Sequence, residues 1–155
     1  MACSSGDSSG PSTATVDDAD RDAMITWLRG HDEIDARQDY RDAVSLYVSR
    51  GCTEHGRMAE ALEHLTGDFD EPPDLSLAQA WQQWLRAEQD FVDFNQEMCD
   101  EFGDSAPPDV EEKLRTEFFE LDEKRRTAEY RYDDVFDDVL DELEIFLSDY
   151  TALDP

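Results

Sequence analysis

Positive charge is what this 155-residue sequence has least of. Thirteen Lys and Arg stand against 41 Asp and Glu, a formal net charge of −28 at pH 7. Only two of the thirteen are lysines, Lys113 and Lys124. Nucleic acid is held by clustered cations that neutralise phosphates and release counterions, and anionic membranes are held in the same way. Direct binding of either is therefore not expected. Cysteine is also scarce: Cys3, Cys52 and Cys99 are too few and too scattered for a disulfide framework. No apolar run approaches the roughly 18 residues of a membrane span, so no transmembrane segment is expected. No signal peptide is evident either, which makes the chain as written cytoplasmic. A glycine-rich phosphate loop is missing, as is any local motif for Ser-His-Asp or Cys-His catalysis. Neither an internal repeat nor a stretch of β-type alternation can be found.

What the chain does have is acid and aromatic rings. Leu, Ile, Val and Phe together make up about a fifth of the residues, on the border where high charge predicts disorder. Eight Phe, five Tyr and three Trp, nearly all between Trp27 and Tyr150, argue for a folded body instead. The preference for Asp among the acids and for Arg among the bases resembles the proteome habit of halophiles that keep molar salt inside the cell. At about 1 M salt the Debye length shrinks to roughly 3 Å, and repulsion between carboxylates is screened. An acid-rich specialist in ordinary cytoplasm is the rival, with the charge itself as its binding surface.

Residues 1–15 are rich in Ser, Gly, Thr and Pro and read as a disordered polar tail. Within them, Met1-Ala2-Cys3 followed by a Ser- and Gly-rich stretch resembles the start of a mature lipoprotein, where a lipidated cysteine leads a flexible tether. That resemblance makes Cys3 a lipidation candidate and implies an extracytoplasmic, lipid-anchored chain. Residues 16–155 read as a single all-α domain, an elongated antiparallel bundle of three long helices and one short one. The first helix is expected from Asp17 to Gly51, with Gly30 marking a bend. Thr53 is a plausible N-cap for a short second helix closed by Gly67, and Pro72-Pro73 mark a loop. The third helix is expected over Leu75–Phe102. A fourth runs from about Asp109 to Ala152 without Gly or Pro, reaching about 65 Å at 1.5 Å per residue. Its far end must pack on the first or second helix, or on a second copy.

Several chemistries can be weighed by spacing. Asp133-Asp134-Val135-Phe136-Asp137 resembles the metal- and diphosphate-binding DDxxD motif of polyprenyl synthases, but that family needs a larger helical barrel and a second facing motif. The run, with Asp134, Asp138 and Asp141, reads instead as the solvated face of a helix whose core side is Val135, Phe136, Val139, Leu140 and Leu143. Glu117-x-x-Glu120 with Asp138-x-x-Asp141 resembles the acidic Mg²⁺ clusters of all-α nucleotide pyrophosphatases. On one unbroken helix the two pairs lie about 30 Å apart and meet only between copies. Cys52-x-x-His55 with His64 and Met58 offers too few ligands at too wide a spacing for a closed zinc site. Both histidines read as partly exposed. Trp81, Trp84, Phe91 and Phe94 read as core. No metal or other cofactor is called for.

Two apolar stripes are interrupted. In the third helix Leu77, Trp81, Trp84, Glu88, Phe91, Asn95, Met98 and Phe102 alternate four and three apart, so Glu88 and Asn95 sit mid-stripe. Arg125 interrupts a comparable stripe in the fourth. An antiparallel hairpin about residues 103–108 places Glu88 opposite Lys124 or Arg125, and Asn95 opposite Glu117 or Phe118. A buried Glu–Arg pair with further hydrogen bonds could fix that register. The alternatives are that these side chains snorkel to solvent, or that Glu88 and Asn95 line a small polar ligand pocket. The functional expectation is a non-enzymatic, acidic protein-interaction or scaffold protein adapted to high salt, binding another protein or a second copy of itself. The interaction candidates are Glu88, Asn95, Arg125, Asp134, Asp138 and Asp141. The alternative is a mimic that occupies a basic nucleic-acid-handling protein, and a dimeric Mg²⁺-dependent hydrolase comes third.

Overall fold

A computed structural model describes residues 16–30, 33–67 and 69–151. The described residues are all-α: α1 (Val16–Gly30), α2 (Glu33–Arg50), a 3₁₀ turn (Gly51–Glu54), α3 (His55–Gly67), α4 (Leu75–Phe102), α5 (Pro108–Glu142) and a one-turn α6 (Leu147–Tyr150). The expected tail and Cys3 lie outside the described residues. No helix among the described residues is long and apolar enough to cross a membrane.

Local chemistry accounts for the ends of α4 and α5. Asp74 caps α4 by accepting from the Leu77 amide at 2.8 Å, filling one of the donor positions a helix start leaves open. Gly103 ends α4 at φ +61°, a backbone state that side chains disfavour. Pro108 then starts α5, where a missing N–H costs nothing.

The hairpin of α4 and α5 is the frame of the molecule. Trp84 stacks on Tyr132, Glu88 lies by Arg125, Phe91 meets Phe118, and Lys124 pairs with Asp90. These contacts set the antiparallel register. The α4 stripe is buried from Leu77 through Asn95, and Met98 and Phe102 are half-covered where the hairpin opens. Trp81, Trp84 and Tyr132 form one aromatic cluster with centroids 5.4 to 5.5 Å apart. From α2, the Arg37 guanidinium lies 4.9 Å from the Trp84 ring and bonds Asp133 at 2.6 Å. Arg41 reaches Glu129, so α2 is tied to α5 as well.

Three expectations change. The first helix is divided: α1 stops at Gly30 and α2 begins at Glu33. The fourth helix ends at Glu142, some ten residues early. There Glu144 adopts φ +52°, the Ile145 amide reaches back to the Leu140 carbonyl at 2.8 Å, and the Glu144 amide to Asp141 at 3.2 Å. This is a Schellman stop with glutamate where glycine is usual, so neither Gly nor Pro announces it. The chain then folds back on α1: Arg21 pairs with Asp149 at 3.0 Å, and Met24, Val139 and Ile145 join one core. Of the alternatives for the far end of α5, packing within the chain on the first helix is the one observed.

The third change is covalent. Cys52 and Cys99 form a disulfide that fastens the turn after α2 to α4. Each sits at a residue that spacing alone leaves unpaired, because the parallel course of α2 and α4 that brings them together is a property of the whole bundle. The Cys52 amide donates to Asp104 Oδ1 at 2.7 Å. Gly51, at φ +79°, lies so close to that carboxylate that a side chain there would collide with it.

Candidate functional site

Glu88 is the most enclosed charged group described, with 1 % of its surface exposed. Three helices supply its partners. Tyr40 of α2 donates its hydroxyl to Oε2 at 2.6 Å, Trp84 of α4 donates its indole N–H to Oε1 at 2.9 Å, and Arg125 of α5 brings Nη1 to 3.6 Å from Oε1. Arg125 is held in turn by Asp122 at 2.6 Å and lies 4.8 Å from the Phe91 ring. The structure thus brings together two of the residues singled out in the stripes, and neither snorkels to solvent.

The electrostatics follow from burial. Desolvation raises the Glu88 pKa above the usual carboxylate value, and the Tyr40 hydroxyl, Arg125 and the Trp84 N–H offset this only in part. Burial also raises the Tyr40 pKa, and the adjacent Glu88 carboxylate raises it further. For Arg125 burial works against the charge, but Glu88 and Asp122 outweigh it and its pKa is raised.

Asn95 takes a different partner from the one the hairpin alone suggests. Its Oδ1 accepts from the Tyr47 hydroxyl of α2 at 2.8 Å, and its Nδ2 donates to the Phe91 carbonyl at 2.7 Å. Phe118 faces it only across a surface cleft of about 440 Å³ that Phe94, Met98 and Leu114 also line. With both ends of its amide engaged, Asn95 holds α2 against α4. Tyr40 and Tyr47 were missed as partners, although a signal was present. They lie seven residues apart, as do Glu88 and Asn95, which is the repeat expected of two helices meeting along a seam.

The acidic run lies apart from this network. Asp134, Asp138 and Asp141 are exposed along one face of α5, while Asp133 turns inward to Arg37. Glu117, Glu120, Asp138 and Asp141 all belong to α5, so the two acidic pairs do not converge within the chain. No group of three or more His, Cys, Asp or Glu among the described residues is placed to hold a metal. The Cys52 sulfur is engaged with Cys99. His55, expected to be partly exposed, is buried at the start of α3 with Nε2 at 3.0 Å from the Val92 carbonyl, whereas His64 is exposed.

No protein-family model matches the chain, and no curated protein or solved structure matches it.

Proposed function

We propose that the protein is a non-catalytic binding module, a covalently stapled helical bundle whose acidic exterior engages a basic partner protein. One observation carries this reading. The polar groups that converge, Glu88, Arg125, Tyr40, Trp84, Tyr47 and Asn95, are spent on one another in the interior. A satisfied buried network specifies helix register and rigidity rather than turnover. Carboxylates without a cation stand outside. Complementary surface charge of this kind speeds encounter and selects partners of opposite sign. Adaptation to high salt is a competing use of the same charge, since the screening that keeps the fold compact at about 1 M salt also weakens attraction to a basic partner.

The disulfide supports an oxidising compartment, where such bonds form and persist. With Cys52 and Cys99 paired, Cys3 is the odd cysteine, which favours the lipid-anchored extracytoplasmic placement over the cytoplasmic one.

The mimic reading keeps one observation in its favour. Asp134, Asp138 and Asp141 form an exposed row of carboxylates about one helical turn apart. The two readings part under mutation. The chain immobilised at about 0.1 M KCl should retain basic proteins and release them as salt rises. Charge reversal of Asp134, Asp138 and Asp141 should leave that retention in place for the binding module and abolish it for a mimic. Failure to retain any basic protein would count against both.

A further inference from the structure

Phe119 and Tyr130 are the large apolar side chains that α5 leaves exposed, 61 % and 68 % open to solvent. Glu123 and Arg126, also exposed, lie between them. Spaced four, three and four apart, the four residues form one stripe about 16 Å long on the side of α5 turned away from α4. The side that meets α4 is a different set, with Phe118, Arg125 and Tyr132 on it. Alternation of four and three is the spacing of a seam between two helices, and interfaces are enriched in aromatic rings and arginine.

The charges on the stripe select what covers it. Copies of a chain with a net charge of −28 repel each other over most of their surface. Residues 113–131 are the exception, with six Lys and Arg against five Asp and Glu, where the rest of the chain has seven against 36. A basic partner meets no excess of acid there, and a second copy meets no excess repulsion. Arg126 shares the Asp122 carboxylate with Arg125, at 3.1 and 2.6 Å, and Glu123 forms no ion pair among the described residues. Turned end for end, a second α5 laid along the first brings Phe119 against Tyr130 and Glu123 against Arg126, and two-fold symmetry repeats both contacts. In the parallel direction Glu123 would meet Glu123 and Arg126 would meet Arg126.

We propose that the outer face of α5 pairs two copies of this chain, antiparallel, about a two-fold axis that passes between positions 124 and 125. The aromatic residues close the two ends of the seam and crossed Glu123–Arg126 pairs fill its middle. This contact is separate from the binding of a basic partner, and either can fail alone.

The test is sedimentation equilibrium of the full chain at about 0.15 M KCl, where a Debye length of about 8 Å screens distant carboxylates more than touching charges. At about 0.1 mM the 17.8 kDa chain should populate a dimer. Glu123→Arg or Arg126→Glu alone should weaken association by at least about tenfold, because each sets like charges face to face. The two single variants mixed should pair with each other, and both changes in one chain should restore association. Phe119→Ala should weaken it by about tenfold, and Val48→Ala, which trims an equally exposed apolar residue on α2, by less than about twofold. Circular dichroism checks that each variant folds. A monomer at every concentration, association that Glu123→Arg leaves intact, or a mixture of the single variants that stays monomeric would overturn the pairing. A monomeric wild type whose retention of basic proteins is lost in Phe119→Ala would give this face to the basic partner and overturn it as well.

Discussion

Tyr40 and Glu88 meet at 2.6 Å in the middle of the bundle, a phenol donating to a carboxylate with almost no solvent at either group. One heptad further along both helices Tyr47 meets Asn95 at 2.8 Å. The first bond involves a charge and the second does not. Removing a hydrogen bond to a charged group costs about 1.5–3 kcal/mol, against about 0.5–1.5 kcal/mol for a neutral one. Tyr40→Phe should therefore destabilise more than Tyr47→Phe in urea unfolding at neutral pH. The reverse order would mean that Glu88 is not the charged acceptor described.

The same carboxylate sets a pH dependence. Because burial raises its pKa in the folded chain, the folded state holds the Glu88 proton more tightly than the unfolded state. The stability it contributes is full below the unfolded value of about 4.3 and is lost as pH rises through the folded pKa. Glu88→Gln lacks this loss. Wild-type stability minus that of Glu88→Gln should therefore fall as pH rises from about 4 toward neutrality, and a difference that is flat or rises would contradict the account.

How much of this was legible in the residues varies by element. The bounds of α4 could be read because Asp74, Gly103 and the prolines beyond it are strong terminus signals, and the Glu88–Arg125 apposition followed from the spacing of two interrupted stripes. The division between α1 and α2 was signalled only by Gly30. The end of α5 was hidden because Glu144, a residue that normally continues a helix, occupies the left-handed position. Tyr47 with Asn95 and Cys52 with Cys99 depend on two helices that are not consecutive in the chain, so local periodicity carries little of that information.

Glutamate in that left-handed state is a correctable strain. Glu144→Gly should stabilise the chain by about 0.4–1 kcal/mol, since glycine takes this backbone state without penalty. A lower melting temperature for Glu144→Gly would show that the reversal after α5 is not held as described.

The disulfide closes a sequence separation of 47 residues. By loop-closure entropy that is worth about 4 kcal/mol, with measured values commonly smaller. Cys52→Ser with Cys99→Ser should lower stability by about 2–4 kcal/mol. Thiol titration of the unreduced, denatured chain should find neither Cys52 nor Cys99 reactive. Reactivity at both would remove the argument for an oxidising compartment.

Salt should stabilise a chain with a net charge of −28. Melting followed by circular dichroism should occur at a higher temperature in about 2 M KCl than in about 0.1 M, because screening relieves repulsion that competes with a net stability of only about 5–15 kcal/mol. Equal melting temperatures would remove the case for salt adaptation.

On the proposed reading the converging polar residues hold the bundle while the exterior carboxylates bind. Retention of a basic protein by three forms of the immobilised chain tests it most directly: wild type, Tyr47→Phe, and wild type whose exposed carboxylates have been amidated. Tyr47→Phe should bind within about twofold of wild type, and the amidated chain should lose retention. A folded Tyr47→Phe chain that no longer binds, beside an amidated chain that does, would make the buried network the site and contradict the account.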